Sequence, residues 1–183
     1  MNWIRRATLS IACLTVALFA ACTSHADSDD TDRYAGIMAF DTATIRLIGQ
    51  SSRDTTSVVA ELAESEPQQT MGLMERRSLA PNAGMLFLYP KLQPDTSAFW
   101  MFRTRIPLDI AFVDSTGVIR TVLTMQPCAS PLVQGCPDYP ANAKYLAALE
   151  VNAGFFARQH LGVGDRLMLG DTTSRRRASH AGS

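Results

Sequence analysis

The sequence predicts a mainly β fold: one compact domain of the sandwich, jelly-roll or barrel type that carries two short helices. Short segments rich in β-branched and aromatic residues dominate the middle of the chain. Residues 114–117, Asp-Ser-Thr-Gly, lie between two of the strongest segments, and Asp and Gly adopt the backbone conformations that hairpin turns need. Many short strands in one domain bury their apolar faces by packing two sheets together or by closing one.

The predicted strands follow one another in eight short segments. Alternate residues Val58, Ala60 and Leu62 give the second segment one apolar face, which is the period of a half-buried strand. The segments cover residues 44–48, 57–63, 84–89, 98–103, 108–114, 118–125, 147–152 and 166–169.

Two short helices are predicted between the strands. The first, over residues 65–77, begins at Glu66-Pro67, because proline is tolerated in a first helical turn. The second, over residues 152–161, has Asn152 in the N-cap position. The sequence contains no internal repeat, phosphate-binding glycine loop or dinucleotide-binding motif.

Residues 1–21 are predicted to be a signal peptide. An arginine pair precedes an apolar run that is too short to span a bilayer and that ends in small residues. Two processing sites are open: lipidation of Cys22 in a lipobox-like Leu-Phe-Ala-Ala-Cys sequence, or cleavage by signal peptidase I after Ala26. The polar, acidic segment 22–42 suits a tether between a lipid anchor and a domain, so lipidation of Cys22 is favoured.

The remaining chain is predicted to form one β domain over residues 43–170 and a disordered polar tail over 171–183. The whole sequence holds 17 Lys and Arg against 17 Asp and Glu, so loss of the arginine pair with the signal leaves the mature chain slightly acidic. Its one basic run, residues 175–177, is typical of a solvated tail. We therefore expect a monomer that has no nucleic-acid partner and that contacts a membrane through its lipid anchor.

The four cysteines fall into three groups. Cys13 lies in the signal, Cys22 is the expected lipidation site, and Cys128 and Cys136 enclose a loop that contains proline and glycine. In an exported protein such a pair predicts a disulfide. Two cysteines do not by themselves make a metal site, and the three histidines are too scattered to complete one. We expect no metal and no cofactor.

A candidate binding region lies in residues 99–114, where aromatic side chains, arginines and a carboxylate are close together in sequence. A pocket needs such apolar surface with a few polar groups. Trp100 and Met101 occupy adjacent strand positions and face opposite sides, so one enters the core and the other faces a groove. Arginine suits planar anionic partners, and the polar contacts expected around Trp100 are Arg76, Arg103, Thr104 and Arg105. The alternative, which is favoured for the three arginines, is that they are solvated or pair with Asp109, Asp114 and Glu150.

Asp109 and Glu150 are the two carboxylates of interest. Asp109 follows Pro107 at the start of an apolar strand, where we expect it to be partly buried and to pair with Arg103 or Arg105 or to accept backbone N–H bonds. Together with Glu150 it could instead catalyse hydrolysis by general acid–base chemistry. No serine or cysteine nucleophile motif accompanies them.

Several longer motifs recur in one order through the domain: GLMxR from 72, GMLF from 84, FWM from 99, TxIPLDI from 104, PC from 127, CPxY from 136 and LEV from 149. Together they resemble the DUF192 family of uncharacterised bacterial and archaeal proteins. The family usually has Asn where this chain has Arg103, so an amide that donates and accepts is replaced by a cation that only donates. The resemblance implies a mostly β domain of the jelly-roll or sandwich type and implies no reaction.

These observations predict an envelope-anchored domain that binds a small or polymeric ligand, with carbohydrate as the leading class. Trp100 would supply an apolar wall, and the three arginines would supply polar contacts. Two other functions are open: a hydrolase that uses the Asp109/Glu150 pair, and a structural or assembly factor that contacts another envelope protein. A cleft shared by the two carboxylates would favour the enzyme, whereas their pairing with arginines would favour binding or structure.

Overall fold

The computed structural model describes residues 39–50 and 55–173 as nine strands and two short helices. The strands are β1 (Asp41–Ile48), β2 (Thr55–Ala63), β3 (Ala83–Gln93), β4 (Ala98–Trp100), β5 (Leu108–Val113), β6 (Ile119–Met125), β7 (Asp138–Pro140), β8 (Tyr145–Asn152) and β9 (Arg166–Thr173). The helices are α1 (Glu66–Met71) and α2 (Phe155–Arg158), and a 3-10 turn spans Val133–Gly135. The prediction of a mainly β domain with two short helices is confirmed.

Seven strands form one mixed sheet in the order β6-β5-β8-β3-β2-β1-β9, and β4 pairs with β7 in a separate ribbon. Neighbours in the large sheet are antiparallel except β2 and β3, which run parallel. A parallel connection needs a long crossover, and residues 64–82, which include α1, provide it. The crossover places α1 against the sheet, where the Gln69 side-chain amide donates a 2.8 Å hydrogen bond to the Leu88 carbonyl.

The large sheet curls until its two edge strands meet at one end. Val118 and Arg166 form an isolated antiparallel bridge at the beginnings of β6 and β9. Beside it, the backbone N–H of Ile119 donates a 2.9 Å hydrogen bond to the carbonyl of Asp165. The main sheet is therefore a half-barrel, which corresponds to the barrel-like member of the predicted set of β folds.

The sheet has a core on each face. The inner core fills the curl, receives side chains from all seven strands and is closed by Phe155 and Phe156 of α2. The outer core lies on the opposite face of β3, β5 and β8, and is covered by the turn after α1 and the β4–β7 ribbon. All six residues of β5 are buried, because alternate positions enter the two cores: Ile110 joins the outer core and Ala111 the inner one.

Both helices are shorter than predicted because glycines interrupt them. α1 ends where Gly72 takes a φ of 49°, a left-handed backbone conformation that glycine adopts without steric cost. α2 begins only after Gly154, which has a φ of 76°. Asn152, the predicted N-cap, is instead the last residue of β8.

Two strand predictions also differ from the structure. The predicted strand over 98–103 stops at Trp100, and Arg103 adopts the left-handed conformation with a φ of 55°. β7 was absent from the predicted strands because Asp138–Pro140 is too short to show an alternating pattern and ends in proline.

The β domain is wider than the predicted 43–170. β1 begins at Asp41, in the predicted tether, and β9 continues to Thr173, in the predicted tail. The predicted signal peptide 1–21, the lipidation site Cys22 and most of the tether and tail lie outside the described residues. Among the described helices, none is long and apolar enough to cross a membrane.

A disulfide joins Cys128 to Cys136, as the sequence predicts. It closes the loop between β6 and β7, which contains the 3-10 turn. Cys128 also pairs with Phe102 in a parallel bridge, so the loop is attached to the segment that follows β4. The disulfide therefore holds this loop beside the residues of the candidate binding region.

Candidate functional site

A cavity of about 210 Å³, which we call the helix cavity, lies between α1 and the outer face of the large sheet. Gly72 shapes its helix side, because a φ of 49° with a ψ of −135° is accessible essentially to glycine alone. A Cβ atom at this position would lie 3.4 Å from the ring of Phe87 across the cavity wall. The side chains that α1 and its turn contribute are mostly uncharged: Glu66, Gln69, Thr70, Met71, Leu73 and Met74.

The opposite side of the helix cavity is aromatic. Phe87 and Tyr89 come from β3, and Phe99 and Trp100 come from β4. The rings of Phe87 and Phe99 pack edge to face with centroids 5.0 Å apart, a favourable geometry that holds β4 against the sheet. Trp100 is 42% exposed at the rim, whereas its neighbour Met101 is fully buried in the outer core.

Glu150 of β8 lines the base of the helix cavity. It lies in register with Met85 of β3 and Ile110 of β5, which places all three on the outer face of the sheet. Only 4% of Glu150 is exposed, yet it forms no hydrogen bond or ion pair with any residue in 39–50 or 55–173. No fully enclosed side-chain oxygen in those residues lacks a partner, so the Glu150 carboxyl oxygens open into the cavity.

Burial raises the pKa of Glu150 to about 8. The positive charge of Arg76 acts in the opposite direction, but that guanidinium already donates two 2.7 Å hydrogen bonds to Glu61. At neutral pH the Glu150 carboxyl group therefore holds a proton, and it can donate a hydrogen bond as well as accept one.

Hydroxyl groups lie beside Glu150 at one end of the aromatic wall. The rings of Tyr89 and Tyr145 pack edge to face, and their hydroxyl groups lie near each other and near Ser97. Burial raises the pKa of Tyr89, and the nearby Tyr145 and Glu150 raise it further. Tyr89 therefore remains a neutral phenol and gives this wall a polar atom.

The three arginines expected to contact a ligand do not line the helix cavity. Arg76 binds Glu61, while Arg103 and Arg105 bind the two carboxylate oxygens of Glu75. Burial would raise the pKa of Glu75, but the hydrogen bonds from the two guanidinium groups outweigh this effect and lower it. Each guanidinium therefore pairs with a glutamate that was not among the carboxylate partners expected from the sequence.

Arg103, Thr104 and Arg105 line a second depression, of about 410 Å³, beside the disulfide loop. Thr104 is buried and borders both this depression and the helix cavity. The backbone N–H of Glu75 donates a 2.8 Å hydrogen bond to the Arg103 carbonyl and so joins the turn after α1 to the segment after β4. Of the predicted ligand contacts, Trp100 and Thr104 reach the helix cavity.

Asp109 and Glu150 lie on opposite faces of the sheet. Glu150 is in register with Ile110, whereas Asp109 is in register with Val151 of the inner core. Residues in register share a face and successive residues alternate, so the two carboxyl groups are separated by the sheet itself. The predicted hydrolytic Asp109/Glu150 pair is therefore not present in one cleft.

Asp109 is buried and has a neutral partner. It accepts a 2.7 Å hydrogen bond from the hydroxyl of Thr124 on β6. The expected ion pair with Arg103 or Arg105 is replaced by this bond, because both arginines engage Glu75.

Most of the helix cavity carries no signal in the sequence. Gln69, Met71 and Tyr89 belong to no chemical motif, and their proximity depends on how the crossover lies on the sheet. One residue in the sequence does indicate the cavity: Glu150 is a carboxylate within the otherwise apolar segment of β8.

Residues 48–169 match the sequence pattern of the DUF192 family, which is described as "Uncharacterized ACR". The match covers more than half of the chain and the strands that build both cores. This chain belongs to the DUF192 family. No curated protein matches it.

Two solved structures resemble the DUF192 domain. One is a "putative transcription regulator" from Sinorhizobium meliloti 1021, 34% identical, with a TM-score of 0.62 over 72% of this chain and 96% of that one. The other is a protein of unknown function from Novosphingobium aromaticivorans DSM 12444, 31% identical, with a TM-score of 0.57 over 69% and 84%. Neither description states a ligand.

Two residues that line the depression beside the disulfide loop of the DUF192 domain adopt a backbone conformation that side chains disfavour. Glu75 has a φ of 63° and Arg103 a φ of 55°. Asn tolerates this left-handed region better than most residues, which gives a physical reason for the Asn that the family usually has at the position of Arg103. This chain holds an arginine there, in an ion pair with Glu75.

Replacing Arg103 by Asn should leave the free energy of unfolding of the DUF192 domain unchanged or slightly higher. Relief of backbone strain offsets the loss of an exposed ion pair, which contributes at most about 1 kcal/mol. Arg103→Val removes the same ion pair but places a β-branched residue at positive φ, which should cost about 1–2 kcal/mol. Urea unfolding measures both variants, with Arg105→Val as the control, and equal losses for Asn and Val would contradict this account.

The stability of the DUF192 domain should fall as pH rises from about 4.5 to about 8. In this window Glu150 holds a proton in the folded state that the unfolded chain has released. The free energy of unfolding therefore falls by up to about 1.4 kcal/mol per pH unit. Denaturation across this range should show a flatter profile for Glu150→Gln and an unchanged one for the exposed Glu64→Gln. If the free energy of unfolding of Glu150→Gln fell with pH as steeply as that of the parent protein, another group would be responsible for the pH dependence.

Proposed function

We propose that the DUF192 domain binds a small organic ligand in the helix cavity. Glu150 carries this proposal: the residue is 4% exposed, and its carboxyl group opens into the cavity and has no hydrogen-bond or ion-pair partner among the described residues. Buried polar groups are nearly always hydrogen-bonded, because leaving one unpaired costs about 1–3 kcal/mol. A ligand that bonds to Glu150 would recover this free energy on binding.

The surroundings of Glu150 support the same function. Small-molecule sites are concave and mostly apolar, with a few fixed polar groups that orient the ligand. Phe99 and Trp100 give the helix cavity its aromatic surface, while Tyr89 and Thr104 add polar atoms. The cavity is therefore a chemically mixed site and not only a gap in the packing.

Carbohydrate, the ligand class expected from the sequence, is the first neutral class to test. A sugar ring would pack against Trp100 at the rim, and its hydroxyl groups would bond to Glu150 and Thr104. The arginines give no support to this ligand class, because they bind glutamates outside the cavity.

We also propose that the domain acts outside the cytoplasm, held on a membrane by lipid at Cys22. The Cys128–Cys136 disulfide supports an oxidising compartment. The apolar run that ends in Ala-Ala-Cys supports export and lipidation. Several acyl chains, each stabilised by about 0.8 kcal/mol per buried CH₂, would hold the protein firmly.

Calorimetric titration with three probes tests ligand binding: methyl β-glucoside, 3,3-dimethylbutan-1-ol and choline. We expect at least one of them to bind at millimolar concentration. Ala98→Phe fills the cavity from β4 and should abolish that binding, whereas Ala157→Phe, at an exposed position of α2, should not change it. Failure of all three probes, or unchanged binding by Ala98→Phe, would contradict the proposal.

Mass spectrometry of the protein isolated from a bacterial host tests the anchor. We expect an acylated N-terminal Cys22 in the membrane fraction, and we expect Cys22→Ser to leave that fraction. An unmodified N-terminus at Asp27 would instead show cleavage by signal peptidase I.

A further inference from the structure

The ionisable side chains that line the helix cavity are acidic or neutral. Glu150 lies at its base and Glu66 on its helix side, and none of the described lining residues is Lys, Arg or His. Arg76, the cation that acts on Glu150, is bound by Glu61 through two 2.7 Å hydrogen bonds. An incoming cation therefore meets a carboxyl group with no ion-pair partner in the described chain, whereas an incoming anion meets no positive charge in the lining.

The walls of the helix cavity suit a cation that carries alkyl groups. Aromatic rings attract a positive charge through the negative potential of their faces, and tryptophan does so most strongly. Trp100, Phe99 and Tyr89 supply three such rings. The thioethers of Met71 and Met74 are flexible and polarisable, so they can pack against methyl groups of different arrangement.

We propose that the helix cavity binds an organic cation, an alkylated ammonium group whose charge pairs with Glu150 and whose alkyl surface packs against Trp100 and Phe99. This inference rests on the proposed function, because it names the ligand class for the same cavity. The aromatic and thioether walls favour an organic cation over a hydrated metal ion, because rings and thioethers do not replace the water that a hard metal ion would lose. A neutral ligand would use the same walls and bond to the protonated carboxyl group, but it would form no ion pair with Glu150.

Binding of such a cation near neutral pH includes the release of a proton. Burial keeps Glu150 protonated up to about pH 8. When the cation enters, the protonated carboxyl group becomes a carboxylate paired with the ligand, and one proton passes to solvent. Two other titratable groups line this site, Tyr89 of β3 and the exposed Glu66 of α1, and the charge of Arg76 acts on Glu150 from outside the cavity. Tyr89 stays protonated and Arg76 stays paired, so Glu150 is the source of the proton.

Choline and its neutral carbon isostere 3,3-dimethylbutan-1-ol form a matched pair of probes for this proposal. Calorimetry on the purified protein at pH 6, 7 and 8, in two buffers of different ionisation enthalpy, measures affinity and proton release together. We expect the affinity for choline to rise about tenfold from pH 6 to 7 and about fivefold from pH 7 to 8, where Glu150 is half deprotonated before the ligand binds, with close to one proton released at pH 6. The affinity for the isostere should not depend on pH in this way.

Variants separate the charge of Glu150 from the shape of the cavity. Glu150→Gln should weaken choline binding at pH 8 by about 100-fold and abolish proton release, because it removes one partner of a buried ion pair. It should bind the isostere within a few-fold of the parent, which also verifies that it is folded. Glu64→Gln, an exposed charge outside the cavity, is the matched control and should bind choline like the parent. Trp100→Leu should weaken choline more than the isostere, because it removes an aromatic face but keeps apolar surface.

The outcomes distinguish the ligand class from the site. Equal affinities for choline and the isostere, or choline binding without proton release, would overturn the cation proposal. Binding of the isostere or the glucoside without choline would overturn it and leave the proposed function standing. Binding of none of the three probes would overturn both.

Discussion

Burial of β3, β5 and β8 on both faces is the constraint on which the rest of the structure depends. Residues 84–87 of β3, all of β5 and residues 147–151 of β8 lie between the inner and outer cores, so a polar side chain there is enclosed whichever face it occupies. An enclosed carboxyl group needs a hydrogen-bond partner or access to a cavity. Asp109 has the first, through Thr124, and Glu150 has the second. Asp109 pairs with Val151, the residue that follows Glu150. A structural carboxylate and a candidate ligand-binding carboxyl group thus lie close together on opposite faces of the sheet.

The parallel pairing of β2 with β3 explains why a cavity exists beside Glu150. A parallel pair requires a crossover, and the crossover leaves a short helix and a glycine turn lying across the outer core. Glu75 then connects this turn to the segment after β4 through a backbone hydrogen bond and through Arg103 and Arg105. The arginines that the sequence suggested as ligand contacts therefore hold together the segments that form the two sides of the cavity.

Local patterns predicted most of the strands, the disulfide and the importance of the segment around Trp100, because each depends on residues close together in sequence. The faces of the sheet on which the Asp109 and Glu150 side chains lie could not be predicted in the same way. It depends on the register of β5 against β8, and Ile110 and Glu150 are far apart in sequence. The ion pairs could not be predicted for the same reason, because Glu61 and Glu75 become neighbours of the arginines only when the crossover folds onto the sheet. The helices and the strand after Ser97 are shorter than predicted because Gly72, Gly154 and Arg103 adopt positive φ angles. Hydrophobic periodicity does not indicate where such a backbone conformation occurs.

The contact between β6 and β9 also affects how one molecule meets another. An open strand edge presents unpaired N–H and C=O groups on which a second chain can add a strand, and many β proteins protect such edges with charges, proline or bulges. Here the Val118–Arg166 bridge and the hydrogen bond from the Leu167 N–H to the Gly117 carbonyl use the backbone groups at one end of both edges. At that end the curvature of the sheet itself leaves fewer backbone groups free for edge-to-edge aggregation.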